Sequence, residues 1–193
     1  MTTQTAAPTP TTTRPPLRPL LDQLAAGRDL TAVRELVEEG ARSGEGGSIV
    51  AATGLFPFLV ADLARRATAE APLVIVTATT RAAEDLRAAL SALVGTAHLV
   101  ELPAWETLPH ERLSPRADTV ARRLSTLRRI AHPETEQPAH VVLMPVRSLL
   151  QPIAKGLGDL RPVRAAVGDG YPLEDLERDL VDAAYVRDRK SVV

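Results

Sequence analysis

From residue 48 onward the chain alternates short β-branched runs with stretches whose apolar residues recur at helical spacing. Leu73-Val-Ile-Val-Thr77 is an unbroken apolar run, bounded by Pro72 and by polar Thr79 and Thr80. A run that is apolar on both faces predicts a strand of a parallel sheet covered by helices. Ser48–Ala52, His98–Leu102 and Val141–Met144 read the same way. Between these strands the spacing predicts helices over Phe58–Ala69, with Leu59, Leu63 and Ala67 on one face, and over Arg81–Val94, with Ala82, Leu86, Leu90 and Leu93 inward. Thr119–Ala131 and a short piece around Val146–Gln151 complete the set. The β-α-β-α-β-α-β order implies right-handed crossovers and a doubly wound α/β layer over residues 48–154.

Both flanks break this rhythm. Residues 1–16, MTTQTAAPTPTTTRPP, are rich in Thr, Pro and Ala without apolar periodicity and predict a disordered tail. Residues 17–47 read as two helices and a linker. Leu17–Ala26 stops at Gly27, and Ala32–Glu39, capped by Asp29 or Thr31, stops at Gly40. Ser43-Gly-Glu-Gly-Gly47 is a flexible joint. After Lys155-Gly-Leu-Gly158 comes an extended segment, Arg161–Val167, and then a helix, Glu174–Ala184, with Leu176, Leu180 and Val181 buried. A second domain, α+β and cut short, therefore begins near residues 155–162.

Composition narrows the function classes. The 193 residues carry 23 basic and 24 acidic side chains, which removes a whole-chain electrostatic case for nucleic acid. Zero cysteine excludes thiol catalysis and disulfide scaffolds and suits a reducing cytoplasm. Aromatics at 3% argue against base-stacking platforms. No apolar run approaches the roughly 18–20 residues of a membrane span. Arginine outnumbers lysine 21 to 2, a bias expected of a G+C-rich coding sequence, so the arginines are not phosphate binders by default.

In a doubly wound sheet the loop after the first strand is where phosphate would bind, through G-x-x-x-x-G-K-[ST]. This chain has Ala51-Ala-Thr-Gly-Leu-Phe-Pro-Phe58. With Thr53-Gly54 in the middle, Ala51 and Phe56 replace glycines, Pro57 replaces the lysine, and Phe58 replaces the metal-binding hydroxyl. Pro57 also deletes a cradle N–H. The loop is a degenerate phosphate loop, and no cofactor is expected on it. Val141–Met144 ends in Pro145, where an Asp-Glu pair would anchor magnesium. The four histidines (98, 110, 132, 140) lack metal-ligand spacing and read as surface or capping residues, so no metal is expected either. No catalytic residue is nominated.

Leu102-Pro-Ala-Trp-Glu-Thr-Leu-Pro-His-Glu-Arg-Leu-Ser-Pro115 holds the only tryptophan and three prolines at the carboxyl end of a strand. A loop of that length predicts a docking element centred on Trp105, with core packing of the indole as the competing reading. Arg122-Arg123 and Arg128-Arg129 recur on one helix and read either as a solvated face or as contacts to a protein or a DNA backbone.

The same stretch carries a family resemblance. Pro103-Ala-Trp-Glu-Thr-Leu-Pro109, Ser114-Pro-Arg-Ala-Asp118, Arg123-Leu-Ser-Thr-Leu-Arg128, Pro145-Val-Arg-Ser-Leu-Leu-Gln-Pro152 and Leu180-Val-Asp-Ala-Ala-Tyr185 resemble the amino-terminal region of the bacterial transcription-repair coupling factors (Mfd). The resemblance spans roughly residues 17–187 and fails over Asp188–Val193. It implies a UvrB-like region: a RecA-like domain over 48–154 that has lost its nucleotide site, then over 155–187 the start of an inserted domain that binds UvrA. In such a family RNA polymerase, double-stranded DNA, ATP and magnesium are handled by parts of the parent chain absent here. The parent releases stalled polymerase by ATP-driven translocation on DNA and recruits excision repair. By the same resemblance, Tyr185 and Arg187 are the partner-binding candidates, beside Trp105. The resemblance thus implies a non-catalytic interaction module. A stand-alone α/β nucleotide-binding or DNA-binding domain is the alternative.

Overall fold

A computed structural model describes residues 15–107, 115–134, 137–163, 167–168 and 170–182. The chain divides into two compact units, Met1–Gly158 and Asp159–Val193.

The first unit is α/β. Its sheet has three parallel strands, β1 (Leu73–Thr77), β2 (Leu99–Glu101) and β3 (Val141–Pro145), in the order β1-β3-β2. Leu73 and Leu99 both stand level with Val141. Among the described residues this unit has six α-helices: α1 (Arg18–Ala25), α2 (Arg28–Ser43), α3 (Phe56–Ala64), α4 (Thr80–Val94), α5 (Ala117–Ala131) and α6 (Val146–Leu150).

Strand alternation sends side chains to opposite faces, and each face builds its own core. On one face Leu143, with half-buried Leu73, Ile75 and Leu99, packs against Leu21 of α1, Val60 and Ala61 of α3, and Leu86, Leu90 and Leu93 of α4. On the other, Val100, Val142 and Met144 pack with Leu102, Ala139 and Leu127 of α5. Helices on both faces therefore make β3 the central strand, buried at all five positions.

Several expected elements differ. Ser48–Ala52 is not a strand: it pairs with nothing among the described residues, and Val50 is 99% exposed. Among the described residues the sheet thus has three strands, against the four that the sequence predicts. The reason is local: Gly46 and Gly47 precede the segment, and a five-residue run gains nothing from extension without a ladder partner and a face to bury. α3 begins at Phe56, two residues earlier than predicted, and stops at Ala64, well before Ala69. α2 starts directly after Gly27 and continues through Gly40 to Ser43. It ends at Gly44, whose left-handed φ of 74° is the conformation that glycine adopts without a Cβ penalty. In α4 Ala83, rather than Ala82, faces the core beside Leu86 and Leu90.

α1 and α2 are tied onto α3 by a part-buried ion pair. Arg34 donates to Asp62 at 3.0 Å, to the Ala25 carbonyl at 2.9 Å and to the Thr31 hydroxyl at 2.8 Å. One guanidinium thereby satisfies a carboxylate, a helix-end carbonyl and a hydroxyl from three elements.

In the second unit, α7 (Leu173–Asp182) has no buried residue. Leu176 and Leu180, expected to be buried, are half-buried, and Val181 is exposed. The Tyr171 hydroxyl donates to Asp179, which fixes the approach to the helix and holds the phenol above its ordinary pKa. The expected extended segment over 161–167 is irregular at 161–163 and a turn at 167–168, and its remainder lies outside the described residues.

Candidate functional site

Residues 51–58 lack the strand-loop-helix setting of a phosphate loop. No strand precedes them among the described residues; Thr53–Leu55 is a 3-10 turn that runs directly into α3. Ala51, Thr53, Gly54 and Phe56 are exposed. Pro57 occupies the first turn of α3, which removes one of the amides that a helix N-terminus would offer an anion. Phe58 is half-buried and packs on the core of α1, α3 and α4, so the position aligned with a metal-binding hydroxyl is used for packing. β3 ends at Met144-Pro145, both buried, with no carboxylate.

Chemistry concentrates instead at the carboxyl end of β2. Beyond Glu101 the chain runs through Leu102, Pro103 and Ala104 to Trp105. Gln151, just past α6, clamps the tryptophan backbone twice: its carbonyl accepts from the Trp105 N–H at 2.7 Å, and its amide donates to the Trp105 carbonyl at 3.1 Å. Beneath the indole lies Arg123 of α5, wholly buried, its guanidinium carbon 4.5 Å from the ring centroid. Arg123 donates to the Pro103 carbonyl and to the Ser148 hydroxyl at 2.9 Å, while Ser148 itself donates to Pro103 at 3.2 Å. Its Nε and Nη2 are buried without a partner, and burial lowers its pKa.

Glu106 completes the arrangement. Its carboxylate accepts from the Thr119 hydroxyl at 2.7 Å and from the Arg116 backbone N–H at 3.1 Å, capping the N-terminus of α5. These two bonds, the hydroxyl's first, hold its pKa below the ordinary carboxylate range. Trp105 and Glu106 therefore fasten their own loop, one over a buried arginine and the other onto a helix end. Beside them opens a crevice of about 210 Å³, lined by Thr80, Glu84, Glu101, Trp105, Arg116 and Arg147. Glu101 is nearly buried; one carboxylate oxygen faces Arg87 at 3.4 Å and the other has no partner.

The arginine pairs on α5 do not form one basic face. Arg123 is interior, and Arg129 donates to the backbone carbonyls of Ala97, Gln137 and Pro138. This corrects the reading of four arginines as a single solvated or DNA-facing surface, because both are consumed by carbonyls that strand ends leave unpaired.

His98 and His140 form a pair that spacing in the sequence does not announce. Their rings stack at 4.1 Å and 8°. Each directly precedes a strand, and the register that sets Leu99 beside Val141 sets them together. Among the described residues no group of three or more His, Cys, Asp or Glu comes together as a metal site. No described helix is long and apolar enough to cross a membrane. Tyr185 and Arg187, residues 1–14 of the predicted tail, His110 and the Asp188–Val193 segment lie outside the described residues.

No protein-family model matches the chain. It is 50% identical over 121 residues to the transcription-repair-coupling factors of Mycobacterium bovis (strain ATCC BAA-935 / AF2122/97) and Mycobacterium tuberculosis (strain CDC 1551 / Oshkosh). Each match takes in 61% of this chain and 10% of the relative, so the chain spans about a tenth of the length of these relatives. Over that stretch the chain is related to transcription-repair-coupling factors, as the Trp105 block implied.

Proposed function

We propose that this chain serves transcription-repair coupling as a non-catalytic interaction module. The observation that carries the reading is 50% identity over 121 residues to two factors that bear that name. Residue chemistry supports the non-catalytic part. A proline in the first turn of α3, a packed Phe58 and the carboxylate-free end of β3 leave ATP neither cradle nor magnesium anchor. On this reading UvrA is the partner, Tyr185 and Arg187 contribute to its contact, and Trp105 orders the loop beside a crevice open to a docking group. An arginine suits such a contact because its planar fork pairs two carboxylate oxygens and keeps its charge. RNA polymerase, double-stranded DNA, ATP and magnesium belong to other parts of a longer parent.

Two titrations on the purified chain test this. A fluorescent ATP analogue with magnesium shows no saturable binding at micromolar concentration; saturation there overturns the non-catalytic reading. Immobilised UvrA captures a version extended through the inserted domain, and captures the 193-residue chain weakly or not at all. Arg187→Ala in the extended version lowers the affinity. Failure of UvrA to bind the extended version, or indifference to Arg187→Ala, overturns the partner assignment.

A further inference from the structure

At the amino ends of β2 and β3, opposite the Trp105 loop, lies a cavity of about 460 Å³. That volume falls in the range of small-ligand pockets. Four basic side chains from separate parts of the chain line it: Arg18 of α1, Arg65 at the end of α3, His98 before β2 and His140 before β3. Arg65 pairs with Asp22 at 2.9 Å, whereas Arg18 has no ion-pair partner among the described residues. The Pro138 carbonyl accepts from His98 Nδ1 at 3.0 Å, which fixes the tautomer and leaves Nε2 as the other ring nitrogen.

The stacked imidazoles are the telling feature. Positive charges on two rings stacked at 4.1 Å repel, and an anion beside them offsets that repulsion. The other charges around His140 are Glu70 before β1, Arg129 of α5, Asp22 and Arg18 of α1, and Arg65. Burial first, and His98 second, push His140 below the ordinary imidazole pKa, with Arg129 adding to the effect and Glu70 opposing it. Burial and the neighbouring cations thus disfavour the charged form of His140, and an added negative charge in the cavity would favour it.

We propose that this cavity binds a tetrahedral dianion of the phosphate or sulfate class, held by Arg18, Arg65, His98 and His140. The bound dianion favours protonated His140, so binding takes up a proton and tightens as pH falls through the imidazole range. Affinity rises up to about tenfold for each pH unit by which the dianion raises the His140 midpoint.

Sulfate is the first probe, because its charge does not change across that range. Proton NMR of the whole chain follows the ring protons of His98 and His140 as sulfate is added near pH 5.5 and near pH 8. Saturable shifts of both rings, several-fold tighter at the lower pH, are expected. Arg18→Gln, an exposed substitution, weakens sulfate binding, and His140→Gln flattens its pH dependence. Should His140→Gln fail to fold, the His140 ring signals of the parent chain carry that arm, their titration midpoint rising as sulfate is added. Inorganic phosphate and glycerol phosphate then separate the sources, the tighter one showing whether the dianion is free or the end of a larger molecule. Absence of saturable shifts near pH 5.5, equal affinity at both pH values, or binding unchanged by Arg18→Gln overturns the proposal.

Discussion

Arg123 shows how one side chain can organise a loop at some cost to itself. It takes a cation out of water and gives it a carbonyl, a hydroxyl and an indole face, yet leaves two nitrogens without partners. Arg123→Ala removes those bonds and opens a cavity, an expected loss of about 2–4 kcal/mol in urea unfolding. Arg123→Met fills most of the space and removes the desolvated charge, so it costs less than the alanine variant. Both variants shift Trp105 emission, and an unchanged spectrum contradicts the stacking. Glu106 makes a separate, pH-dependent contribution. A carboxyl whose folded pKa is depressed contributes stability that is fully present above its unfolded value and is lost as pH falls through the folded value. The gap in unfolding midpoint between the parent and Glu106→Gln is therefore constant near neutrality and closes below about pH 4.5, the ordinary glutamate range. A gap that persists in acid would mean that the cap does not depend on the charge. At this scale the sequence marked the block around Trp105 and Glu106 as special. It could not show that these residues hold their own chain, because Arg123 and Gln151 reach them only through tertiary folding. Arg129 was opaque for the same reason, and the His98–His140 pair rests on the register of β2 against β3, which spacing does not announce.

Among the elements, those with strong periodicity were legible almost to the residue. β1 spans Leu73–Thr77 as predicted, and α4 and β3 each gain a single residue on the prediction. The misses fall where a local signal competes with a tertiary one. Ser48–Ala52 has strand composition but no neighbour, and the topology accounts for it. β1 reaches β2 by α4 on one face, and β2 returns to β3 by α5 on the other. A strand at 48–52 that fed β1 through α3, on the same face as α4, would by the same handedness lie outside β1. That edge stands open among the described residues, and the neighbouring valines 74 and 76 are exposed, so the site for a fourth strand exists but is unfilled. Gly40 is the predicted stop of α2, but the helix runs through it to Ser43. Gly44, at φ 74°, is the actual terminus, so Gly44→Ala costs about 1 kcal/mol in thermal or urea unfolding. A variant as stable as the parent would place the helix end elsewhere.

For the molecule as a whole, stability is distributed unequally between its two units. In Met1–Gly158 β3 is buried along its entire length, with apolar clusters on both faces, so exposing its amides requires both cores to open. In Asp159–Val193 α7 carries a strong apolar stripe, Leu173, Leu176 and Leu180, yet buries no residue fully. A ten-residue helix is marginal in water without a packed face, because nucleation costs more than so few hydrogen bonds return. Local opening of α7 therefore needs far less free energy than opening of the sheet. Hydrogen exchange read by mass spectrometry is expected to show amides of Val141–Met144 and of the buried side of α4 as the slowest. Amides of α7 should exchange close to the rate of an unfolded peptide. Both helices were predicted from the same periodicity, and only the burial that each one finds separates them: four core residues for α4 and none for α7. Protection of α7 equal to that of β3 would show that its apolar stripe is covered in solution and would overturn this ranking.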